Sequence, residues 1–379
     1  MKYNFKVSLP SVVEYGANSI EKISGYINKG SKVAIISTSV LDEYVNKIQN
    51  ILNGCSFYII KDIQAEPSEK DVIKLHNELK AFKTDIIIGI GGGSVLDLAK
   101  ILSITLADDS IMNDFWNNAP KASKKINNIL IPTSAGTGAE ATPNAIFSNV
   151  EKQIKIGIVN PLLLADKVIL DPVLTYNLPK NITSTTGIDA LCHAVECFIS
   201  NKANPLSNDL SLCAIKMIFE SLPIVYKEPK NEYHRGQMIL ASFYAGICIA
   251  ASGTNIVHAL SYPLGGKYHV AHGLANAIIL YEGMKYNEDV CKESFSYVAK
   301  YVGMASEDDS LENSSNIFLN NLKSLLNEID IPKSLSDINI PKEDIDSLTD
   351  SAFEVQRLLQ NNPKPVSKDD IKLIYKKLF

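Results

Sequence analysis

Residues 85–100, DIIIGIGGGSVLDLAK, run an apolar segment straight into three glycines, a serine and a helical pattern. A near-continuous apolar run of this length is the mark of a strand buried on both faces of a parallel sheet. Gly91, Gly92 and Gly93 clear side chains from the strand-to-helix turn, so that backbone amides and the helix N-terminus can approach a pyrophosphate closely. The loop is not a G-x-G-x-x-G fingerprint, because Ser94 stands where the last glycine belongs, and no Gly-Lys-Ser/Thr follows to make a P-loop. Taken alone it also reads as a tight turn with no ligand, in which Asp97 is only a first-turn helix acid.

Outward from this stretch the same alternation repeats. VAIIS (33–37), FYII (57–60), NILIP (128–132) and KVIL (167–170) are strand-like, while 40–52 and 69–82 carry apolar residues at helical spacing. Strand then helix, repeated, predicts a doubly wound α/β domain with a Rossmann-like parallel sheet. A second loop, IPTSAGTGAEAT (131–142), also follows a strand and gathers Thr133, Ser134, Thr137 and Thr142 around Gly136 and Gly138. Two such loops fall at the carboxyl edge of one sheet, where α/β proteins bind ligands, although this one in isolation also reads as a polar loop.

Beyond DPVLTYNLP (171–179) the pattern changes to successive helices, clearest at 206–222, 232–250 and 369–379. We place the boundary at Leu178–Asn181, giving an α/β nucleotide-binding domain over 1–180 and an all-helical domain over 181–379, with the active site expected in a cleft between them. SEDDSLENSSN (306–316) reads as a polar surface loop.

The helical part holds the second chemical signal. Asp189 and His193 stand four residues apart in GIDALCHAVE, on one helix face, and His258 (TNIVHALSYPLGG) and His272 (YHVAHGLANA) follow. One carboxylate and three imidazoles suit Fe(II) or Zn(II) better than Ca(II) or Mg(II), which prefer oxygen. Each histidine taken singly also reads as a hydrogen-bonded core residue.

The bulk numbers bound the partners. At 379 residues two domains are expected, and 46% hydrophobic with 21% charged residues is ordinary for a globular chain. A net charge of −5 gives no basic footprint for nucleic acid or membrane, so the partner is a small molecule. The N-terminal stretch lacks a signal peptide's apolar core, no run of eighteen apolar residues occurs, and the six cysteines are scattered without C-x-x-C spacing; a cytoplasmic protein with reduced thiols is expected.

These motifs, from PSVVEYGANSIEKI through GGGSVLDLAK, PTSAGTGAEAT, GIDALCHAVE, VHALSYPLGG and AHGLANA to NNPKPVSKDDIKLIYKKLF, resemble in order and spacing the iron-containing (group III) alcohol dehydrogenase family along nearly the whole chain. The resemblance implies a dinucleotide-binding domain followed by an all-helical metal domain, and reversible hydride transfer between NAD(P) and a small alcohol or aldehyde. It implies Fe(II) or Zn(II) on Asp189, His193, His258 and His272, and cofactor pyrophosphate on Gly91, Gly92, Gly93 and Ser94, with Asp97 towards the nicotinamide. Thr133, Ser134, Thr137 and Thr142 would line the rest of the cofactor, Lys155 would reach its ribose, Asn144 would wall the substrate, and the chain would dimerise.

Two departures stand out. Tyr262 stands where many members carry a histidine for proton relay, and a phenol is the poorer shuttle at neutral pH. Relatives with tyrosine here handle oxo-acids, so the resemblance implies a substrate that can bear an acidic group, with Lys267 and His269 either meeting its charge or lying in a solvated loop. Thr38 and Ser39 replace an aspartate that would repel a 2′-phosphate, so NADPH is an expected cofactor. The competing readings are a dehydroquinate-synthase-like metal- and NAD-dependent cyclase, and a non-catalytic nucleotide or metal sensor.

Overall fold

The computed structural model describes residues 4–61, 63, 67–112, 115–149 and 154–379, the side chains of 116, 148, 149 and 154–156 aside. The chain divides into two compact units, one spanning Ser8–Tyr176 and the other centred on Asn177–Phe379.

The first unit is built on strands β1 (Val12–Tyr15), β2 (Lys32–Ile36), β3 (Ser56–Ile60), β4 (Ile86–Gly91), β5 (Asn127–Pro132) and β8 (Lys167–Leu170). They form one sheet in the order β1-β8-β5-β4-β2-β3, parallel at every pairing. All six residues of β4 are buried, as the apolar run requires, because helices cover both faces. Val45 and Ile48 of α1 (Asp42–Ile51) pack with Ile20, Ile23 and the β-branched residues Val33, Ile35, Ile88 and Ile129. α2 (Glu69–Phe82) opens on a capping box, the Ser68 hydroxyl and Asp71 carboxylate each satisfying the other's backbone amide. α3 (Gly93–Thr105) is buried from Val95 to Thr105 and packs on β4 and β5. The short α4 (Phe115–Asn118) follows, and β6 (Asn144–Asn149) and β7 (Ile154–Val159) make a separate antiparallel pair.

The second unit is helical: α5 (Lys180–Ile199), α6 (Pro205–Lys227), α7 (Glu232–Ser252), α8 (Ile256–Tyr268), α9 (His272–Val302), α10 (Leu311–Glu328), α11 (Ile345–Phe353), α12 (Gln356–Leu359) and α13 (Lys368–Lys377). α5 is buried almost all round because α6, α7 and α9 pack against it. α7 and α8 meet at a bend of 103° through Gly253, whose positive φ of 74° favours glycine. Among the described residues no single helix is long and apolar enough to cross a membrane.

The expectation of a polar loop over 306–316 is corrected at its second half. Ser310 caps α10, which starts at Leu311, and Ser314 and Ser315 are buried in its first turn. A serine-rich first turn lacks the apolar periodicity by which helices are recognised, and the N-cap alone carries the signal.

Candidate functional site

β4 and β5 are neighbours in register, Gly91 beside Pro132, so the glycine-rich loop and the hydroxyl-rich loop leave the same edge of the sheet. The Thr133 amide donates to the Gly91 carbonyl (3.0 Å), and a Cβ on Gly93 would lie 2.9 Å from the Thr137 side chain, so only glycine lets the loops approach this closely. Gly92 is the N-cap of α3, which leaves the first-turn amides beyond it directed at the loop mouth. Gly92, Gly93, Ser94, Ser134 and Thr137 are half-buried, while Thr133 and Thr142 are buried.

Lys100, unremarked in the sequence reading, ties this region together. It is fully buried, pairs with Asp97 (2.8 Å), and donates to the Ala139 carbonyl (2.8 Å), the Thr142 hydroxyl (3.3 Å) and the Asn144 carbonyl. Asp97 also accepts from the Ile146 amide at 2.9 Å. A helix residue thus fixes the far end of the second loop, and burial of its charge is tolerable only because Asp97 and the carbonyls compensate it. Thr38 follows β2 in extended conformation and is half-buried. The Lys155 side chain lies outside the described residues.

Glu140 in the second loop is 1% exposed, and burial pushes its carboxyl from 4.5 up to about 7, its own backbone amide and Lys100 opposing the shift. Between those values the folded chain holds a proton that the unfolded chain has released, so stability falls as pH rises through this window. Glu140→Gln is expected to flatten that slope and to stabilise the first unit by about 1–3 kcal/mol at pH 8 while changing little at pH 5. Urea unfolding at the two pH values measures this, and equal denaturation midpoints for variant and wild type at pH 8 would contradict it.

In the helical unit the structure brings Asp189, His193, His258 and His272 together, with one ligand atom from each lying within 4.8 Å of the others. Asp189 and His193 lie mid-helix on α5, His258 in the first turn of α8, and His272 opens α9. The Asp189 Oδ1 atom lies 3.9, 3.9 and 3.7 Å from the Nε2 atoms of His193, His258 and His272. The imidazoles of His193 and His258 stack at 4.6 Å between centroids. Gly273 allows α9 to start here, since a Cβ on it would sit 2.6 Å from the Thr185 carbonyl oxygen of α5.

Four electron-rich atoms facing one another in a buried site repel unless something positive lies among them. Metal–nitrogen bonds of the zinc type set ligand–ligand separations of about 3.3 Å, so a contraction of about half an ångström would bring the Asp189–imidazole pairs to that spacing, with the widest donor pair closing further. The Asn276 amide nitrogen supports the same reading: it is 2.7 Å from Asp189 Oδ1, 3.1 Å from His258 Nε2 and 3.2 Å from His272 Nε2, a lone electropositive group drawn to the lone pairs. Burial would raise the Asp189 carboxyl, but the three facing imidazoles outweigh it and hold it below the usual carboxylate range. Burial lowers His258 to about 4, Asp189 opposing, which keeps this ring neutral and able to offer a lone pair.

Glu196, one turn past His193, was missed as a site residue although it closes the GIDALCHAVE motif. It is fully buried, one oxygen accepts from the Asn255 and Val257 amides at the start of α8 (3.1 and 2.7 Å), and the other meets His258 Nδ1. Burial raises its carboxyl to about 8, against the lowering effect of the Val257 amide and His193. When ionised, this carboxylate accepts from Nδ1–H and so fixes the tautomer whose Nε2 lone pair points at the site, the usual support of a metal-bound imidazole.

The remaining expected residues sit as follows. Tyr262 is half-buried one turn beyond His258, its ring 6.2 Å from that of His272, and burial raises its phenol. Asn144 opens β6 and meets Lys100 through its carbonyl. His269 is exposed, ends α8 with a positive φ of 55°, and is not among the four clustered donors. Lys267 pairs with Asp344 at 2.8 Å, so its charge is already met. Cys192, Cys197, Cys248 and Cys291 are buried free thiols, and Cys55 and Cys213 are half-buried ones.

Comparison with known proteins agrees in extent with this arrangement. Residues 10–172 match the family model for iron-containing alcohol dehydrogenase, and residues 183–379 match the C-terminal model of the Fe-containing alcohol dehydrogenase family. The chain is 32% identical to long-chain-alcohol dehydrogenase 1 of Geobacillus thermodenitrificans, over 99% of this chain and 96% of that one. It is also 32% identical to sulfoacetaldehyde reductase of Bilophila wadsworthia, over 95% of each. Among solved structures, 1,3-propanediol oxidoreductase superposes with a TM-score of 0.93 at 26% identity, covering all of both chains.

Proposed function

Because this chain belongs to the iron-containing alcohol dehydrogenase family, we propose that Asp189, His193, His258 and His272 hold its divalent metal, and that the Gly91–Ser94 and Thr133–Thr142 loops hold its NAD(P). The protein is an NAD(P)-linked oxidoreductase acting on CH–OH groups of alcohols and on the corresponding aldehydes. The observation that carries the site assignment is the convergence of four donor atoms within 4.8 Å.

When bound, Fe(II) or Zn(II) supplies Lewis acidity towards a substrate oxygen, and the nicotinamide supplies or takes up hydride. The chain's own residues set the conditions. Asp189 brings negative charge, the histidines bring neutral lone pairs, and Glu196 holds His258 in the productive tautomer. Burial of Asp189, His193 and His258 excludes water and strengthens each interaction there. Tyr262 keeps its proton at neutral pH, so it serves as a hydrogen-bonding group at the phenol oxygen and not as a shuttle. In the first unit, Asp97 and Lys100 hold the second loop against α3, and Asn144 walls the substrate. Residues 1–180 thus serve the cofactor and 181–379 the metal. The absence of an acid at Thr38 and Ser39 supports use of NADPH alongside NADH. On the family resemblance we also place the enzyme in the cytoplasm as a homodimer.

The test is a panel of short aldehydes followed at the nicotinamide absorbance with NADH and with NADPH, before and after chelation. Turnover should vanish on chelation, return with Fe(II) or Zn(II), and proceed with NADPH. Turnover indifferent to chelation contradicts the metal assignment, and a strong preference for NADH contradicts the NADPH assignment.

A further inference from the structure

The helical unit holds a cavity lined by none of the four metal donors. Phe198 in the last turn of α5, Asn208, Asp209 and Leu212 in the first turns of α6, and Glu293 and Tyr297 on α9 line a space of about 480 Å³. Glu293 and Tyr297 are four residues apart on one face of α9, and they stand about 30 Å along that helix from His272. A volume of this order suits a small molecule.

The groups around it share one preference, which is for a cation. The rings of Phe198 and Tyr297 are nearly parallel, with an interplanar angle of 10° and centroids 6.4 Å apart, and Tyr297 stacks in turn with Tyr301 at 6.5 Å. Tyr297 is 56% exposed, so much of its electron-rich ring is open to a ligand. Asp209 and Glu293 are exposed, and among the described residues neither is held in an ion pair, whereas the adjacent Lys292 is taken by Glu312 at 3.7 Å. The positive end of the α6 dipole amounts to about half a charge and offsets only part of the two carboxylates. The Asn208 Oδ1 atom is buried and accepts no hydrogen bond, so a turn of the amide brings this oxygen to the cavity without breaking a bond it makes. An orphaned acceptor is a standing cost, which a donor on a ligand removes.

We propose that this cavity is a second binding site of the protein, for a small alkylammonium ion. Asp209, Glu293 and the Asn208 oxygen take its N–H donors, and its charged end and first methylenes lie against the Phe198 and Tyr297 rings, with Leu212 beneath. Other ligand classes match less of the site. An anion meets two carboxylates, a neutral apolar molecule leaves the Asn208 oxygen without a donor, and a hard metal ion finds ring faces where it needs oxygen ligands. The site takes no part in hydride transfer.

The experiment is calorimetric titration of the metal-loaded enzyme with butylammonium and with butyltrimethylammonium, which keeps the charge and has no N–H, at about 0.15 M salt so that diffuse attraction is screened. Wild type, the double variant Asp209→Asn with Glu293→Gln, and Tyr297→Leu are compared, with aldehyde turnover as the check on fold, since none of these residues belongs to the catalytic centre. Wild type should bind butylammonium saturably at this site, and butyltrimethylammonium about 10-fold more weakly. Butylammonium affinity should fall about 10-fold in the double variant and about 3-fold in Tyr297→Leu, with turnover unchanged. Absence of saturable binding to wild type, equal affinity for the two ions, or wild-type affinity in the double variant overturns the proposal. The comparison of the two ions on wild type decides it even where a variant fails to fold.

Discussion

Asp189→Ala loses its metal and at least about 10³-fold in kcat/KM, within the range of 3–5 kcal/mol that removing one partner of a buried charge pair costs. The expectation follows from geometry: Asp189 Oδ1 faces all three Nε2 atoms at 3.7–3.9 Å and is the sole anion among the four donors. Without it a dication would sit buried among neutral rings with its charge uncompensated. Metal content after dialysis and steady-state kinetics check this together. Retained metal with retained turnover would show that the ion sits elsewhere.

The second large effect is expected at Glu196, which touches no substrate. Glu196→Gln places an amide where one oxygen accepts the Asn255 and Val257 amides and the other faces His258 Nδ1. If the amide nitrogen turns to His258, it forces Nδ1 to accept and moves the ring proton onto Nε2, the ligand atom. If it turns the other way, two backbone donors of α8 lose their acceptor in the core. Metal affinity should fall about 10- to 100-fold by either route. The second route also costs about 1–3 kcal/mol per orphaned donor. Titration against a competing chelator separates this from a general loss of stability, since fold can be checked on the same metal-free sample by urea unfolding. Unaltered metal affinity in a folded Glu196→Gln protein refutes the positioning role.

The elements most legible in the sequence were those whose burial is two-sided. β2, β4, β5 and β8 are near-continuous apolar runs buried in the sheet, and the edge strand β3, of which only Ile60 is buried, was legible from its apolar residues alone. β1, with alternating half-buried and exposed residues, and the β6–β7 pair lack that run and were not picked out. In the site, the i, i+4 spacing of Asp189 and His193 is a local signal, so the centre could be sought from spacing and context. Glu196 and Lys100 were not legible for one common reason. A charged residue on a helix looks the same in sequence whether it faces water or the interior, and its meaning is set by a partner remote in the chain: His258 for Glu196, Ala139 and Asn144 for Lys100.

The central claim is tested most directly by anomalous diffraction at the iron and zinc edges from crystals of the metal-loaded enzyme. The account predicts one strong peak at about 2.0–2.2 Å from Asp189 and from the Nε2 atoms of His193, His258 and His272. A peak held by other residues, or by fewer than these four, contradicts it.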